Sequence, residues 1–236
     1  MATPWERWHH VTKVDPDKSL RDGDTYAAIA DTGTDAIVVG GTTNVTESNV
    51  RSVLDALSSA DVPVFVEPTY LPTVPPNDAF SGYLIPIVLN AGDTTWITGA
   101  HHEWIRSSAR IDWERTYTEA YIVLNPESAV ATYTRANCDL DIADIAAYAR
   151  LAEHVLNQDI VYLEFSGTLG DPTAVAAARD ALTAASLFYG GGIHDYDSAY
   201  EMARVADSVV VGDLLHDAGL EAVETTVRGV RDANRT

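Results

Sequence analysis

Short apolar runs recur along this chain, separated by longer stretches in which apolar residues return every three or four positions. The runs are WHHVTKV, AIVVGG, VPVFVEP, YLIPIVLN, EAYIVLN, IVYLEFSG, SLFYGGGI and SVVVGD. They are rich in β-branched and aromatic residues and mostly close on Gly, Pro, Asn or Asp, which is the signature of strands. Their near-continuous apolarity suits strands covered on both faces, as in parallel sheets. Between them the spacing predicts helices at about Leu20–Ala30, Ser48–Ala60, Thr95–Ile111, Asp141–Val155, Pro172–Ala185, Tyr196–Ala206 and Leu220–Arg231. Thr46 and Ser48 are candidate caps for the second of these, and Asp171 precedes a proline at the favoured first helical position. One slot breaks the rhythm. After the third run comes TYLPTVPPNDAFSG, whose prolines forbid a regular helix.

Eight strands with seven helices in 236 residues predict a compact α/β domain, a (β/α)8 or TIM barrel spanning 1–236. The helix after strand three is expected to be replaced by an extended loop. A doubly wound sheet competes, but eight strands at this spacing favour closure. No linker or shift in composition divides the chain.

Composition narrows the partners. Acidic residues number 35 against 15 basic ones, for a net charge of −20. A field of that sign repels nucleic-acid phosphates and anionic lipid, so no nucleic-acid partner is expected. Thirteen of the basic residues are arginine and the acids are spread throughout, as on the solvated surface of a halophile protein in a salt-rich cytoplasm, with an ordinary acidic protein as the alternative. Cys138 is alone and can form neither an intrachain disulfide nor a thiolate zinc site. No apolar run approaches the ~20 residues of a membrane helix, so a cytoplasmic, soluble protein is expected.

In a barrel, functional residues belong at the carboxyl ends of strands. Those ends here carry Lys13, Asp15, Asp17 and Lys18; Gly40, Gly41 and Thr42; Tyr162, Glu164, Ser166 and Gly167; Gly190, Gly191 and Gly192; and Gly212 and Asp213. Bare backbone in YGGGIHD and VVVGDLL, on the last two strands, can cradle a phosphate, with Lys13 as counter-charge. The competing view is that these glycines only permit tight turns. Asp213 brings negative charge to the same place, so its N–H should matter more than its carboxylate. Asp15 with Thr42 offers the hard oxygen ligands that Mg2+ prefers, or else Asp15 belongs to an ordinary DPDK turn. Alternation puts Tyr162, Glu164 and Ser166 on one strand face. A carboxylate there is costly unless paired or working, so Glu164 is a candidate general base or a member of a structural network. His9, His10 and His194 near strand ends are weaker candidates. The His101–Glu103 run lacks zinc-hydrolase spacing, and no nucleophile elbow or P-loop is present.

Taken in order, TKVDPDK, IVVGGT, WITGAHHEWI, YLEFSG, YGGGI and ADSVVVGD resemble the geranylgeranylglyceryl phosphate synthase family over nearly the whole chain. That resemblance implies an Mg2+-dependent prenyltransferase. It would join the 3-hydroxyl of sn-glycerol 1-phosphate to geranylgeranyl diphosphate, releasing diphosphate, in the first ether-bond step of archaeal membrane lipid biosynthesis. By the same resemblance Lys13, Tyr162, Leu163, Glu164, Phe165, Ser166, Gly167, Gly191, Gly212 and Asp213 would bind glycerol phosphate. Asp15 and Thr42 would hold Mg2+, and Glu164 would take the hydroxyl proton. Asp213 stands where many relatives carry asparagine. Tyr70 and Trp96 are candidates for an apolar trough that takes the prenyl tail, and Trp96 resembles the bulky side chain that limits tail length. A homo-oligomer and transient membrane contact are further expectations. The alternatives are a heptaprenylglyceryl phosphate synthase, another phosphate-binding barrel enzyme, and a noncatalytic phosphate-ligand sensor.

Overall fold

All eight apolar runs form strands: β1 (His10–Val14), β2 (Ala36–Val39), β3 (Val64–Val66), β4 (Gly82–Val88), β5 (Thr116–Val123), β6 (Ile160–Glu164), β7 (Ser186–Gly190) and β8 (Ser208–Val211). The computed structural model describes residues 3–68, 80–108 and 110–235. Each strand pairs in parallel with the next, and β8 returns to β1 with Thr12 opposite Val211, so the sheet closes. Closure removes every edge and leaves one lumen.

The helices are α1 (Glu47–Ala56), α2 (Gly99–Ser107), α3 (Ala129–Thr134), α4 (Ile142–Arg150), α5 (Pro172–Asp180), α6 (Tyr196–Ala203), α7 (Asp213–Ala218) and α8 (Leu220–Ala233). Thr46 caps α1 through a reciprocal box with Asn49, and Ser48 lies inside the helix rather than capping it. Asp171 caps α5 ahead of Pro172. The helix expected at Leu20–Ala30 does not form. Gly23 takes a φ of 94°, Asp24 N–H closes a turn on Arg21, and only a 3-10 segment, Ala27–Thr32, follows. The stretch Thr95–Ile111 divides into a 3-10 turn (Thr94–Trp96) and α2. The α5 stretch ends at Asp180, short of Ala185; the N–H groups of Ala184 and Ala185 instead donate to Glu153. Short helices α3 and α7 replace what reads as loop or strand end. The proline-rich loop falls largely on 69–79, outside the described residues.

Strand alternation sorts side chains into two layers. Outward-facing Ala120, Ile122, Val161 and Leu163 pack beneath α4 and α5, and Ile37, Val39, Val64 and Val66 beneath α1. His10 also faces outward at the amino end of β1, far from the functional rim. Its ring nitrogens lie 3.0 Å from Thr34 and Thr226 hydroxyls. Burial, then the charge of Arg231, lowers its pKa to about 3, so it is a neutral structural histidine.

Inward-facing Val11, Val38, Phe65, Leu84, Tyr121, Tyr162, Phe188 and Val210 fill the lumen. Trp5 and Trp8 close its amino end: Trp8 meets Phe65 edge-on at 5.1 Å, and Trp5 meets Tyr117 at 5.0 Å. The plug turns the lumen into a vessel open only at the carboxyl mouth. Removing it by Trp8→Ala should cost about 3–5 kcal/mol of stability, read as a lower denaturant midpoint in urea.

Candidate active site

The carboxyl ends of the strands converge on a cleft of about 1040 Å³. Lys13, Asp15, Thr42, Tyr162, Glu164, Ser166, Gly167, Gly191, Gly212 and Asp213 all line it. Leu163 and Phe165 do not. Leu163 alternates outward beneath α5, and the Phe165 ring packs against Tyr189 at 5.8 Å. Their side chains do not line the cleft, although their backbone lies between residues that do.

Lys13 projects from β1 into the lumen, its ammonium 2.6 Å from Glu67 Oε1 and 3.4 Å from the Tyr121 hydroxyl. The Tyr121 hydroxyl donates to the other oxygen of Glu67 at 2.5 Å. Tyr121 and Tyr162, opposite each other on β5 and β6, stack at 4.3 Å and form a wall beside the ammonium. Burial disfavours the charge on Lys13, but Glu67 and Glu164, with Glu119 behind them, outweigh it and raise its pKa.

Glu164 ends β6, buried, with Ser166 N–H donating to Oε1 at 2.7 Å. Burial raises its pKa, and Lys13 and the Ser166 hydrogen bonds pull the other way. The net upward shift brings the carboxyl toward the range where a base works near neutrality.

Lys18 N–H closes a turn on Asp15 carbonyl at 3.1 Å, while its ammonium crosses the rim to Asp213 at 2.7 Å. The Asp213 carboxylate is therefore already engaged. Asp15 accepts from Asp17 N–H, and its own N–H donates to His216. A methyl at Gly41 would lie 2.4 Å from Asp15 Oδ1, so glycine there lets the carboxylate rest against the loop carrying Thr42. One carboxylate and one hydroxyl on a half-exposed rim suit Mg2+, which keeps waters and draws further oxygens from a substrate. No cluster of three His, Cys, Asp or Glu stands ready for a metal among the described residues.

The glycine run has a packing reason of its own. A Cβ at Gly190 would sit 2.0 Å from the Tyr162 hydroxyl, and one at Gly191 2.4 Å from Phe165 backbone. These glycines seat the β7 loop against the β6 loop, and their backbone faces the cleft as a consequence.

Beside the polar cleft lies a narrow apolar pocket of about 90 Å³, walled by Ile85, Pro86, Val88, Trp96, Trp104 and Tyr133. The two share Gly41, Thr42, Glu67, Tyr121 and Val130, so they adjoin at the barrel mouth. Trp96 meets Tyr133 at 5.2 Å. Tyr70 lies outside the described residues.

The PcrB family profile matches residues 3–232. The chain belongs to the PcrB family. It is 56% identical over 233 residues to the geranylgeranylglyceryl phosphate synthase of Halobacterium salinarum, covering 99% of this chain and 98% of the relative. It is 44% identical over 225 residues to the heptaprenylglyceryl phosphate synthase of Brevibacillus brevis, covering 95% and 96%. The fold is shared with the (S)-3-O-geranylgeranylglyceryl phosphate synthase of Thermoplasma acidophilum, solved with sn-glycerol-1-phosphate. The two superpose with a TM-score of 0.83 at 24% identity, covering 97% of this chain and 96% of that one.

Within this PcrB chain, motif reading overlooked Glu67 and Tyr121. Glu67 closes VPVFVEP, and the alternation that exposes Tyr162 and Glu164 in IVYLEFSG applies equally to Glu119 and Tyr121 in EAYIVLN. Gly190→Ala should drive a methyl into Tyr162 and cost about 1–3 kcal/mol, measured by chemical denaturation.

Proposed function

We propose that this chain transfers a geranylgeranyl group from its diphosphate to the 3-hydroxyl of sn-glycerol 1-phosphate. The observation that carries the reading is the joining of a lysine-floored polar cleft to an apolar pocket at one barrel mouth. Full-length likeness to the synthase of Halobacterium salinarum supports the same chemistry. Its identity exceeds that to the bacterial heptaprenyl enzyme, 56% against 44%, which favours the shorter tail.

In the reaction the bond between the allylic carbon and the diphosphate oxygen breaks, and an ether bond forms from the glycerol oxygen. The hydroxyl proton passes to Glu164, which Ser166 N–H orients. Lys13 holds the glycerol phosphate, with the backbone of Gly191, Gly212 and Asp213 completing the anion site. Trp96 and its neighbours keep the tail out of water, which shields the developing allylic cation from hydrolysis. Asp15 and Thr42 would hold Mg2+, which when bound supplies charge neutralisation to the diphosphate.

No helix among the described residues is long and apolar enough to cross a membrane. We place the enzyme in the cytoplasm, meeting the lipid-borne donor at the membrane face. A homo-oligomer would cover the exposed Leu151, Val155 and Leu156 beyond α4.

Incubation with glycerol 1-phosphate, a panel of prenyl diphosphates and Mg2+, read by mass spectrometry, should give the geranylgeranyl ether preferentially, and chelation should abolish it. Unaltered substrates, or a preference for the heptaprenyl donor, would refute the assignment. Because Glu164 must be ionised to accept the proton, kcat/KM should rise with pH through a value above the ordinary carboxylate range. Glu164→Gln should remove that acidic limb and lower kcat by about 10²–10⁴-fold.

A further inference from the structure

The lumen beneath the cleft holds three carboxylates, Glu67, Glu119 and Glu164, around the Lys13 ammonium. Glu119 has no place in the proposed chemistry. It faces inward from β5, two residues before Tyr121, and is 1% exposed. Its Oε1 is buried without a hydrogen-bond partner among the described residues. The charge of Glu67, which already accepts from Lys13 and Tyr121, acts on its carboxyl.

Two neighbouring carboxylates, both buried, cannot both be ionised at low cost, so one retains a proton. The choice between them follows from their partners. Glu67 is met by an ammonium and a hydroxyl, both donors, so its two oxygens are needed as acceptors. Glu119 has an orphaned oxygen, which is costly for a neutral acid and far costlier for a carboxylate. The groups facing it are Lys13 from β1, Glu67 beyond β3, Tyr121 on β5, and Tyr162 and Glu164 on β6. Burial, then the charge of Glu67, hold the Glu119 carboxyl well above the usual range; Lys13 opposes them and Glu164 adds to them.

We infer that Glu119 is a proton-bearing brace: it donates a hydrogen bond to Glu67, which fixes Glu67 against Lys13 and the ammonium at the floor of the cleft. Glu67 then has three donors converging on it and little freedom to turn. Glu119 touches no substrate; it is a positioning residue that acts through Glu67. An ionised Glu119 would repel Glu67 and leave the ammonium shared among three anions, a poorer receptor for a phosphate.

The consequence for binding rests on the proposed glycerol phosphate site, whereas the proton itself can be observed without turnover. Infrared difference spectra of the full chain, wild type against Glu119→Gln at neutral pH, should show the carbonyl stretch of a neutral carboxylic acid in the wild type only. In steady-state assays Glu119→Ala should raise KM for glycerol 1-phosphate on the order of tenfold, with a smaller change in kcat. Glu119→Gln, which can still donate to Glu67, should restore most of that loss. Absence of the neutral-acid band in the wild type would overturn the inference whether or not the chain transfers prenyl groups. A present band with Glu119→Gln raising KM as much as Glu119→Ala would overturn the positioning role. If Glu119→Ala does not fold, a KM in Glu119→Gln close to that of the wild type supports that role, and a tenfold rise contradicts it.

Discussion

The ion pair between Lys13 and Glu67 is the contact around which the mouth of the barrel is organised. A charge in a plugged lumen is tolerable only with a partner at close range, and Glu67 meets the ammonium at 2.6 Å. Everything else in the floor is arranged about that pair: Tyr121 donates to the far oxygen of Glu67, Tyr162 stacks on Tyr121, and Gly190 leaves room for the Tyr162 hydroxyl. The chain has only two lysines. One forms the floor, and the other crosses the rim to Asp213, so a molecule with net charge −20 concentrates its lysine ammonium groups at the barrel mouth.

That arrangement reconciles an acidic surface with the two anionic substrates proposed. Long-range repulsion from the surface carboxylates is screened within about 3 Å at molar salt, while the partly buried ammonium keeps its short-range attraction. Charge on the outside and recognition on the inside are therefore separable. The apolar pocket extends the same logic. It shares Gly41, Thr42, Glu67, Tyr121 and Val130 with the polar cleft, so a ligand with an anionic head and a hydrocarbon tail can satisfy both at once.

Much of this was legible in the residues. The eight apolar runs located the strands, closure followed from their number, and strand ends located Lys13, Asp15, Thr42, Glu164 and Gly191 in one cleft. Helix ends were less legible. Gly23 at positive φ broke an otherwise periodic stretch, because a local turn closed by Asp24 and Arg21 outcompeted weak amphipathicity. The resemblance covers Tyr162–Gly167 as a block, whereas strand alternation turns only Tyr162, Glu164 and Ser166 to the cleft and sends Leu163 outward. Glu67 and Glu119 escaped notice because each is a single acid in an apolar run, and only barrel closure brings strands three and five to face one cation. The glycine run was ambiguous in sequence for a physical reason: packing against Tyr162 and Phe165 and exposure to an anion require the same missing side chain.

The central claim is that the Lys13 ammonium receives the glycerol phosphate. Phosphorus NMR titration of sn-glycerol 1-phosphate into the wild type and Lys13→Ala tests it directly, with circular dichroism to verify that both are folded. Loss of a charge-assisted contact predicts about tenfold or greater weakening of binding in the variant. Equal affinities in two folded proteins would contradict the account.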